Sequence, residues 1–227
     1  RKNFFVAELK IDGNAIALKY ENGLLKYAAT RGDGKEGEDI TNNAKRIKSI
    51  PLRLRIENPP KWIEVRGEAF ISSKSFDAIN QQRDANKEQL FANPRNACAG
   101  SLRQLDPKVV ANRNLDFFAY QVYLSDESLL SEEYFNHWNR LQFLKKCGFK
   151  INKNSELINN KNELKNYCEL WEKKRHQINF DTDGVVIKIN DIKAQDILGY
   201  TQKSPRWAIA LKYPAEEVST KIHNLTL

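Results

Sequence analysis

The sequence lacks methionine altogether, has only three cysteines and contains no long apolar run. The cysteines, Cys98, Cys147 and Cys168, are odd in number and widely spaced, which argues against both a disulfide framework and a zinc site. No segment approaches the roughly eighteen apolar residues of a membrane helix, and the first residues lack the apolar core of a signal peptide. We therefore expect a protein of a reducing, cytoplasmic compartment with no membrane partner.

The missing methionine also bears on where the chain begins. Because Arg1 cannot be a native start and a strand pattern follows almost at once, we expect this chain to be part of a longer protein. Towards the other end, residues 217–222 resemble the opening of another strand. We therefore predict further domains on both sides.

Length and composition exclude a small protein that depends on disulfides and a disordered chain. Hydrophobic residues make up 41% and aromatic residues 10% of the 227 residues, which suffices for a core without disulfides and rules out wholesale disorder. The charge is uneven, since 37 lysines and arginines against 29 acidic residues leave a net charge of +8. A basic excess favours a polyanionic partner such as nucleic acid or a nucleotide, although a lysine-rich solvated surface would give the same total.

Strand patterns dominate the chain. Apolar and polar residues alternate from Phe5 to Tyr20 and again from Leu24 to Thr30, with a turn at residues 21–23 between them, which predicts a β-meander. Many strands with a few inserted helices indicate an α+β domain dominated by antiparallel sheet. The later strands are predicted at Trp62–Ile71, Leu115–Leu124, Asp183–Ile189 and Trp207–Tyr213.

Helical patterns are fewer. Ser72 is a predicted cap of a helix that runs to about Asn86, and residues 91–105 are predicted as a loop with a helical turn. Two short helices are predicted, one from Thr41 to Ile47 and one from Asp191 to Leu198 that ends at Gly199. Two longer ones are predicted from apolar residues that share a face. The first has Tyr134, Trp138, Leu141 and Leu144 and ends at Gly148, and the second has Leu164, Tyr167, Cys168 and Trp171.

Four short clusters place charge on strands that should be half-buried. The first, residues 10–13, carries Lys10 where one predicted strand turns into the next; a lysine there can act as a nucleophile, although a plain hairpin turn explains the same residues. Charged side chains seldom face a core unless they are paired or bound to a ligand, so the clusters together indicate a shared polar cleft. The other three are residues 64–68, 183–188 and 207–213.

This ordered set of clusters resembles the covalent nucleotidyltransferase superfamily of ligases and capping enzymes, with residues 10–13 as the nucleophile motif. Longer segments closely resemble bacterial NAD-dependent DNA ligases: ELKIDG at 8–13, ATRGDG at 29–34, GEDITNN at 37–43, FANPRN at 91–96 and SLRQLDP at 101–107. Asn14 and Cys98 depart from the family pattern, which commonly has an apolar residue and an alanine there.

The resemblance covers the chain from Glu8 to about Glu217 and implies its fold. That fold is α+β and ATP-grasp-like, with two mainly antiparallel sheets flanked by helices and the nucleotide in the cleft between them. The implied nucleotidyltransferase domain spans residues 1–217. Residues 218–227 would begin the connection to an oligonucleotide-binding fold.

The resemblance also implies the catalytic residues. Lys10 is expected to attack the α-phosphate of NAD, expel nicotinamide mononucleotide and carry AMP on its ε-nitrogen. Lys188 and Lys212 are expected to favour the neutral form of Lys10 and to stabilise charge on the phosphate, with ordinary surface lysines as the alternative. Asp12 and Asp183 are expected to orient the lysine or to bind Mg²⁺, with turn capping as the alternative for Asp12.

Nucleotide-binding residues follow from the same resemblance. Glu68 is expected to accept hydrogen bonds from the ribose, and Glu8 from the exocyclic amine of adenine, although a cross-strand ion pair would explain either carboxylate. Tyr120 and Val186 match positions that sandwich the adenine, although on periodicity alone they would be core residues. Four arginines match phosphate-binding positions, where a solvated surface is the alternative: Arg31 for the nucleotide, and Arg95, Arg103 and Arg175 for DNA or other phosphates.

The expected function is the adenylation step of DNA joining. A monomeric enzyme would form lysyl-AMP from NAD, transfer AMP to the 5′-phosphate of nicked double-stranded DNA, and support attack by the 3′-hydroxyl. A helical region outside this chain would hold the nicotinamide mononucleotide half of NAD. Two alternatives stay open, namely an ATP- or GTP-using ligase or capping enzyme, and a nucleic-acid-binding module of the same fold without catalysis.

Overall fold

The computed structural model describes residues 5–32, 37–124, 135–202 and 204–214, together with Lys221. Within these residues the strands are β1 Phe5–Ile11, β2 Asn14–Glu21, β3 Leu24–Thr30, β4 Trp62–Phe70, β5 Asp116–Leu124, β6 Glu156–Ile158, β7 Thr182–Ile189 and β8 Ala208–Lys212. The helices are α1 Thr41–Ala44, α2 Ser73–Ala85, α3 Pro94–Leu102, α4 Pro107–Asn112, α5 His137–Lys146, α6 Lys161–Lys174 and α7 Ile192–Leu198. The expected α+β class with antiparallel sheets is confirmed.

Sheet I has the strand order β6-β1-β7-β8, and sheet II has the order β3-β2-β4-β5. Every strand pair in both sheets is antiparallel. The β2–β3 hairpin has the predicted turn, because Glu21 pairs with Leu24 and the two residues between them, Asn22 and Gly23, have φ values of 48° and 78°. Asparagine and glycine adopt this left-handed conformation at low cost.

The predicted meander from Phe5 is wrong in one respect. β1 belongs to sheet I, where it pairs with β6 and β7, whereas β2 belongs to sheet II. The chain crosses between the sheets through Asp12 and Gly13. A Cβ on Gly13 would collide with the carbonyl oxygen of Ala69 and lie 3.0 Å from Cγ of Glu68. Glycine is therefore required where the two sheets meet.

Two hydrophobic cores stabilise the sheets. The larger lies on one face of sheet II and includes Leu18 and Phe117 with Leu141 of α5. The smaller lies between sheet I and α6, where Val185 packs with Tyr167 and Trp171. Burying each such side chain contributes about 1.5–3 kcal/mol. The rings of Phe70, Phe118 and Phe180 join the sheets, with centroids 4.8 to 5.3 Å apart.

Most predicted helices are present with altered bounds. The Ser72 cap is confirmed, because its Oγ accepts a hydrogen bond from the Ser75 amide at 3.2 Å. The helices before Gly148 and Gly199 end as predicted, and both glycines have positive φ. α1 is shorter than predicted, ending at Ala44 rather than Ile47. Tyr134, predicted on the face of α5, lies outside the described residues.

The segment 91–105 differs most from its prediction as a loop with a helical turn. It contains the nine-residue helix α3, and α4 follows at Pro107. Each begins with proline directly after a capping residue, Asn93 and Asp106, whose side chains accept from backbone amides. A cap followed by proline at the first helical position is a helix-start signal in the sequence. The three-residue strand β6 was also not predicted.

Candidate active site

Lys10 lies near the end of β1 on the face of sheet I that is turned away from α6. Alternation along β1 places Leu9 in the α6 core and Lys10 with Glu8 on the opposite face. The Nζ atom of Lys10 donates to both carboxylate oxygens of Asp183 at 2.8 Å. Both side chains are partly exposed, at 29% and 27%. The amine is therefore oriented by a carboxylate while it stays open to a ligand.

Lys212 joins this group through strand register. In β7, Gly184 lies opposite both Lys10 of β1 and Lys212 of β8. The Nζ atom of Lys212 is 4.0 Å from Oδ2 of Asp183, and its side chain is 72% exposed. The sequence predicted Lys212 and Lys188 as cations beside Lys10, whereas the described contact of Lys10 is with an anion, Asp183.

Asp12, just after β1, connects Lys10 to helix α3. Its Oδ1 accepts from Nη1 of Arg95 at 3.3 Å, and its amide donates to the carbonyl of Asp181 at 2.9 Å. The amide side chain of Asn14 donates to the carbonyl of Arg95 at 3.1 Å. Asn14, one of the departures from the family pattern, therefore helps to hold the first turn of α3 at the site.

Cys98, the other departure, is fully buried in α3. Its Sγ lies 3.3 Å from the carbonyl oxygen of Ala69, in contact with β4. Burial raises the pKa of the Cys98 thiol to about 12, so it stays protonated at neutral pH. Cys98 is therefore a packing residue with a weak hydrogen bond.

A buried charged pair lies further along the same face of sheet I. Nζ of Lys188 is 2.8 Å from Oε1 of Glu8, and the two residues are each 6% exposed. Nε2 of His137, the first residue of α5, is 2.7 Å from the same oxygen. Burial opposes the charged carboxylate, but Lys188 and His137 outweigh it and lower the pKa of Glu8 to about 2. Glu8 is therefore an ionised acceptor at neutral pH.

Tyr120 faces this pair from sheet II. The β4–β5 register goes from Gln121 to Ala119, so Tyr120 is the extra residue of a β-bulge, a feature that redirects a side chain. Its carbonyl accepts from Nζ of Lys188 at 3.1 Å, and the same Nζ lies 5.0 Å from the centre of its ring. Val186 lies opposite Glu8 in the β1–β7 register. The cleft thus has an aromatic wall from one sheet and an apolar side chain from the other.

Glu68 of β4 lies at the Lys10 end of the cleft. It is half-buried, and its side chain interacts electrostatically with Lys10 and Arg95 as well as Asp12 and Asp183. Burial raises the pKa of Glu68 to about 7, despite the two cations. A carboxyl group that changes charge near neutral pH therefore lies beside the lysine.

The four predicted arginines do not converge on one point. Arg95 reaches Asp12, whereas Arg103 pairs with Glu38 at 2.7 Å on the exposed surface. Arg175 follows α6 and lies 4.9 Å from the centre of the Tyr213 ring. Arg31 acts on the Tyr120 hydroxyl electrostatically, which places it near the aromatic wall. The structure therefore brings Arg95 to Asp12, two residues after Lys10, and Arg31 to the neighbourhood of Tyr120, and it places the other two elsewhere.

Sequence reasoning missed His137. It is 1% exposed and contacts the Glu8 carboxylate across 129 positions of sequence. No motif marks it, and the only local signal is the helix start at Asn136, whose side chain accepts from the Asn139 amide.

The described residues contain no group of three or more histidine, cysteine or acidic side chains that could hold a metal ion. Asp12 and Asp183 are each in contact with a cation. In the same part of the chain, no helix has the length and apolar character needed to cross a membrane.

This geometry fits transfer of a nucleotide. The cleft offers an amine held by a carboxylate at one end, and an aromatic face beside a buried acceptor and donor at the other. An aromatic face suits a base, and a fixed acceptor and donor suit its polar edge.

Comparison with known proteins agrees with the motifs. A DNA ligase of Parasynechococcus marenigrum (strain WH8102) is 57% identical over 222 residues, covering 98% of this chain and 32% of that protein. A DNA ligase of Synechococcus sp. (strain CC9605) is 57% identical over 217 residues, covering 96% of this chain and 31% of that protein. The solved mycobacterial DNA ligase D complexed with ATP and MES is more distant, with 12% identity and a TM-score of 0.43 over 83% of this chain and 49% of that chain.

The chain spans about a third of the length of these curated relatives. The family model for the NAD-dependent DNA ligase adenylation domain matches residues 1–216. The resemblance inferred from the motifs is thereby confirmed, and the chain belongs to the NAD-dependent DNA ligase adenylation domain family.

Proposed function

We propose that this domain transfers AMP from NAD to Lys10 and then to the 5′-phosphate of nicked DNA. The observation that carries the proposal is the placement of Lys10, whose partly exposed amine is held by both oxygens of Asp183 where the two sheets face each other. The other end of that cleft has the Glu8–Lys188 pair beside the Tyr120 ring. Family membership supports NAD as the source of AMP.

Lys10 must lose a proton before its nitrogen can attack. Asp183 is the carboxylate within hydrogen-bond distance and can receive that proton. The nitrogen then bonds to the α-phosphorus of NAD, while the bond to the bridging oxygen breaks and nicotinamide mononucleotide leaves. Lys212 and Arg95, both close to this group, would stabilise negative charge on the phosphate oxygens.

Adenosine recognition would use the other residues of the cleft. An adenine stacked on Tyr120 would bring its polar edge to Lys188, which lies 5.0 Å from the ring centre, and to the adjacent Glu8 carboxylate. Val186 would cover the opposite face of the base. Glu68 would accept a hydrogen bond from the ribose, and Arg31 would lie towards the nucleotide phosphates. These assignments rest on family membership and on the shared cleft.

A magnesium site formed by protein side chains alone does not fit this structure. Mg²⁺ prefers six oxygen ligands, whereas Asp12 and Asp183 are two carboxylates that already contact Arg95 and Lys10. Phosphate oxygens and water would have to supply the remaining ligands. Mg²⁺ therefore remains a prediction.

Nicked double-stranded DNA is the proposed acceptor of AMP. The net charge of +8 favours a polyanion, and Arg95, Arg103 and Arg175 supply guanidinium groups suited to phosphate oxygens. The wider setting that we propose is a monomeric, cytoplasmic ligase of DNA replication and repair. The DNA ligase relatives support the joining of DNA within that setting.

The test is to incubate the full-length protein with NAD or with ATP, each labelled in the adenylate group, and to map the label by mass spectrometry. We expect one AMP on Lys10 from NAD and none from ATP. Labelling from ATP instead would support the ATP-using alternative. The absence of labelling from either nucleotide would support a binding module without catalysis.

A further inference from the structure

Among the described residues of the cleft, His137 is the buried titratable residue to which no motif gives a role. Its Nε2 lies 2.7 Å from Oε1 of Glu8, and its amide donates to the carbonyl of Asn190 at 2.7 Å. The backbone contact fixes the start of α5, and the side chain reaches from that start to β1. Its ring therefore has a defined position relative to Glu8.

The direction of the His137 hydrogen bond follows from its partner. An ionised carboxylate can only accept, so Nε2 must carry the hydrogen and donate it to Glu8. Burial and the charge of Lys188 hold the pKa of His137 below its ordinary value, which favours the neutral ring. Neutral His137 is then the Nε2–H tautomer, and Lys188, 3.4 Å from Nε2, donates to Glu8 rather than to the ring.

Both donors use the same oxygen of Glu8. His137 is 2.7 Å and Lys188 is 2.8 Å from Oε1, and neither of these contacts involves Oε2. Two donors from different elements, α5 and β7, restrict rotation of the carboxylate. Its second oxygen is therefore held in one direction as a pure acceptor.

A fixed acceptor beside a fixed donor distinguishes amino from keto bases. Adenine presents an amine at C6 and an unprotonated N1, which match the Glu8 carboxylate and the Lys188 ammonium. Hypoxanthine presents an oxygen at C6 and a protonated N1, which oppose both groups. A site that hydrogen-bonds one pattern rejects the other strongly, because its buried groups would be left unpaired.

We propose that His137 is a positioning residue for base selection, which orients Glu8 so that the cleft accepts 6-amino purine nucleotides and rejects 6-keto ones. This inference rests on the proposed function, in which Glu8 and Lys188 contact the base. It gives His137 a role that acts through Glu8 and not on the reacting phosphate.

The test compares binding of AMP and IMP to the full-length ligase by calorimetry. Wild type should prefer AMP, and His137→Leu should reduce the ratio of the two dissociation constants by roughly tenfold or more. His137→Gln should retain the ratio to within about threefold, because a glutamine amide can reach where Nε2 lies. In labelling with NAD, the leucine variant should raise KM far more than it lowers kcat.

Leu141→Ala is the matched control, since Leu141 is buried on the same helix and has no hydrogen-bonding group. It should lower thermal stability and leave the AMP-to-IMP ratio unchanged. If leucine at 137 prevents folding, His137→Asn replaces it, because its shorter amide cannot reach Glu8 as glutamine does.

Two results would overturn the role of His137. One is a folded His137→Leu or His137→Asn protein with the wild-type ratio, and the other is an equal loss of the ratio in Leu141→Ala. A wild-type ligase that prefers AMP over IMP but takes no label from NAD would contradict the proposed function instead.

Discussion

Lys10 is held by Asp183, the carboxylate that we propose as the acceptor of its proton. Asp183 accepts two hydrogen bonds from the ammonium and so aligns it. Entry of a phosphate would bring a competing anion to the same site. Alignment before the reaction and release during it can therefore come from the same carboxylate.

We predict that Lys10→Ala abolishes AMP attachment in the full-length enzyme, because no other described lysine combines the motif with a strand end facing Asp183. The measurement is labelling with NAD followed by mass spectrometry. Lys19→Ala is the control, since Lys19 is an exposed lysine of β2 and should keep full labelling. A fully labelled Lys10→Ala protein would remove Lys10 from the mechanism.

Tyr120→Ala should weaken AMP binding by about 1 kcal/mol or more, because the stacking face and the apolar contact of the ring are lost. Tyr120→Phe should bind AMP nearly as well as wild type, since the ring and the carbonyl that Lys188 contacts both remain. Calorimetry measures both. Unchanged affinity in the alanine variant would make Tyr120 a packing residue only.

Glu68 should make stability depend on pH, because burial raises its pKa from 4.5 to about 7 in the folded protein. Between these values the folded state binds a proton that the unfolded state has lost, so stability falls as the pH rises from about 4.5 to 7. Glu68→Gln lacks this loss. We therefore compare the free energy of unfolding of Glu68→Gln with that of wild type. The difference, variant minus wild type, should be larger at pH 8 than at pH 4 by about 1 kcal/mol or more.

Urea denaturation of both proteins at the two pH values measures this difference. A difference in stability that is the same at pH 4 and pH 8 would show that the Glu68 pKa is not raised by folding.

At the scale of residues, the sequence predicted the motif-bearing side chains best. Lys10, Asp12 and Asp183 stand in short segments with a recognisable order, and the structure places them together. His137 could not be predicted, because its contact with Glu8 joins an isolated residue to one 129 positions away. The contact of His137 with Glu8 depends on where α5 packs, and this position cannot be read from the residues around His137.

The positions of the strands were predicted more successfully than the pairing of strands within the sheets. Alternation predicts which side chains of a strand are buried, and β2 follows it. In β1, by contrast, residues 6–9 are all buried. Alternation carries no information about which strand lies beside which, so it could not show that β1 and β2 belong to different sheets. The expectation of two sheets came from the family resemblance alone. The glycine that allows the crossing, Gly13, was visible only as part of a turn motif.

Helix α3 is capped by Asn93, whose side-chain oxygen accepts a hydrogen bond from the Asn96 amide at 2.8 Å. Asn93→Ala should reduce the free energy of unfolding by about 1 kcal/mol, whereas Asn93→Ser should retain most of it. Because α3 carries Arg95 to Asp12, the alanine variant should also label more slowly with NAD. Chemical denaturation and labelling rates measure the two effects, and an equal loss in both variants would argue against capping.

In the whole molecule, the two sheets bring Lys10 and Asp183 together with the Glu8–Lys188 pair and Tyr120, the groups that we propose for the AMP half of NAD. We predict that the 227-residue chain by itself binds AMP but labels very slowly with NAD, because the relatives are about three times as long and the leaving group must be held in line with Lys10. The longer ligase should label fast with similar AMP affinity. Equal labelling rates would contradict this division of labour.

The arrangement of sheet I has a consequence for how the protein is made. Lys10 and Asp183 are 173 positions apart, and β7 and β8 come from the end of the chain, whereas sheet II pairs strands that follow one another more closely. Pairing of distant segments is slow, because a long loop must first be closed. During synthesis, Lys10 therefore leaves the ribosome well before Asp183, and the two can pair only after most of the domain has been made. Chains released prematurely before β7 would therefore lack Asp183, so Lys10 in such incomplete products would be without the carboxylate that orients it.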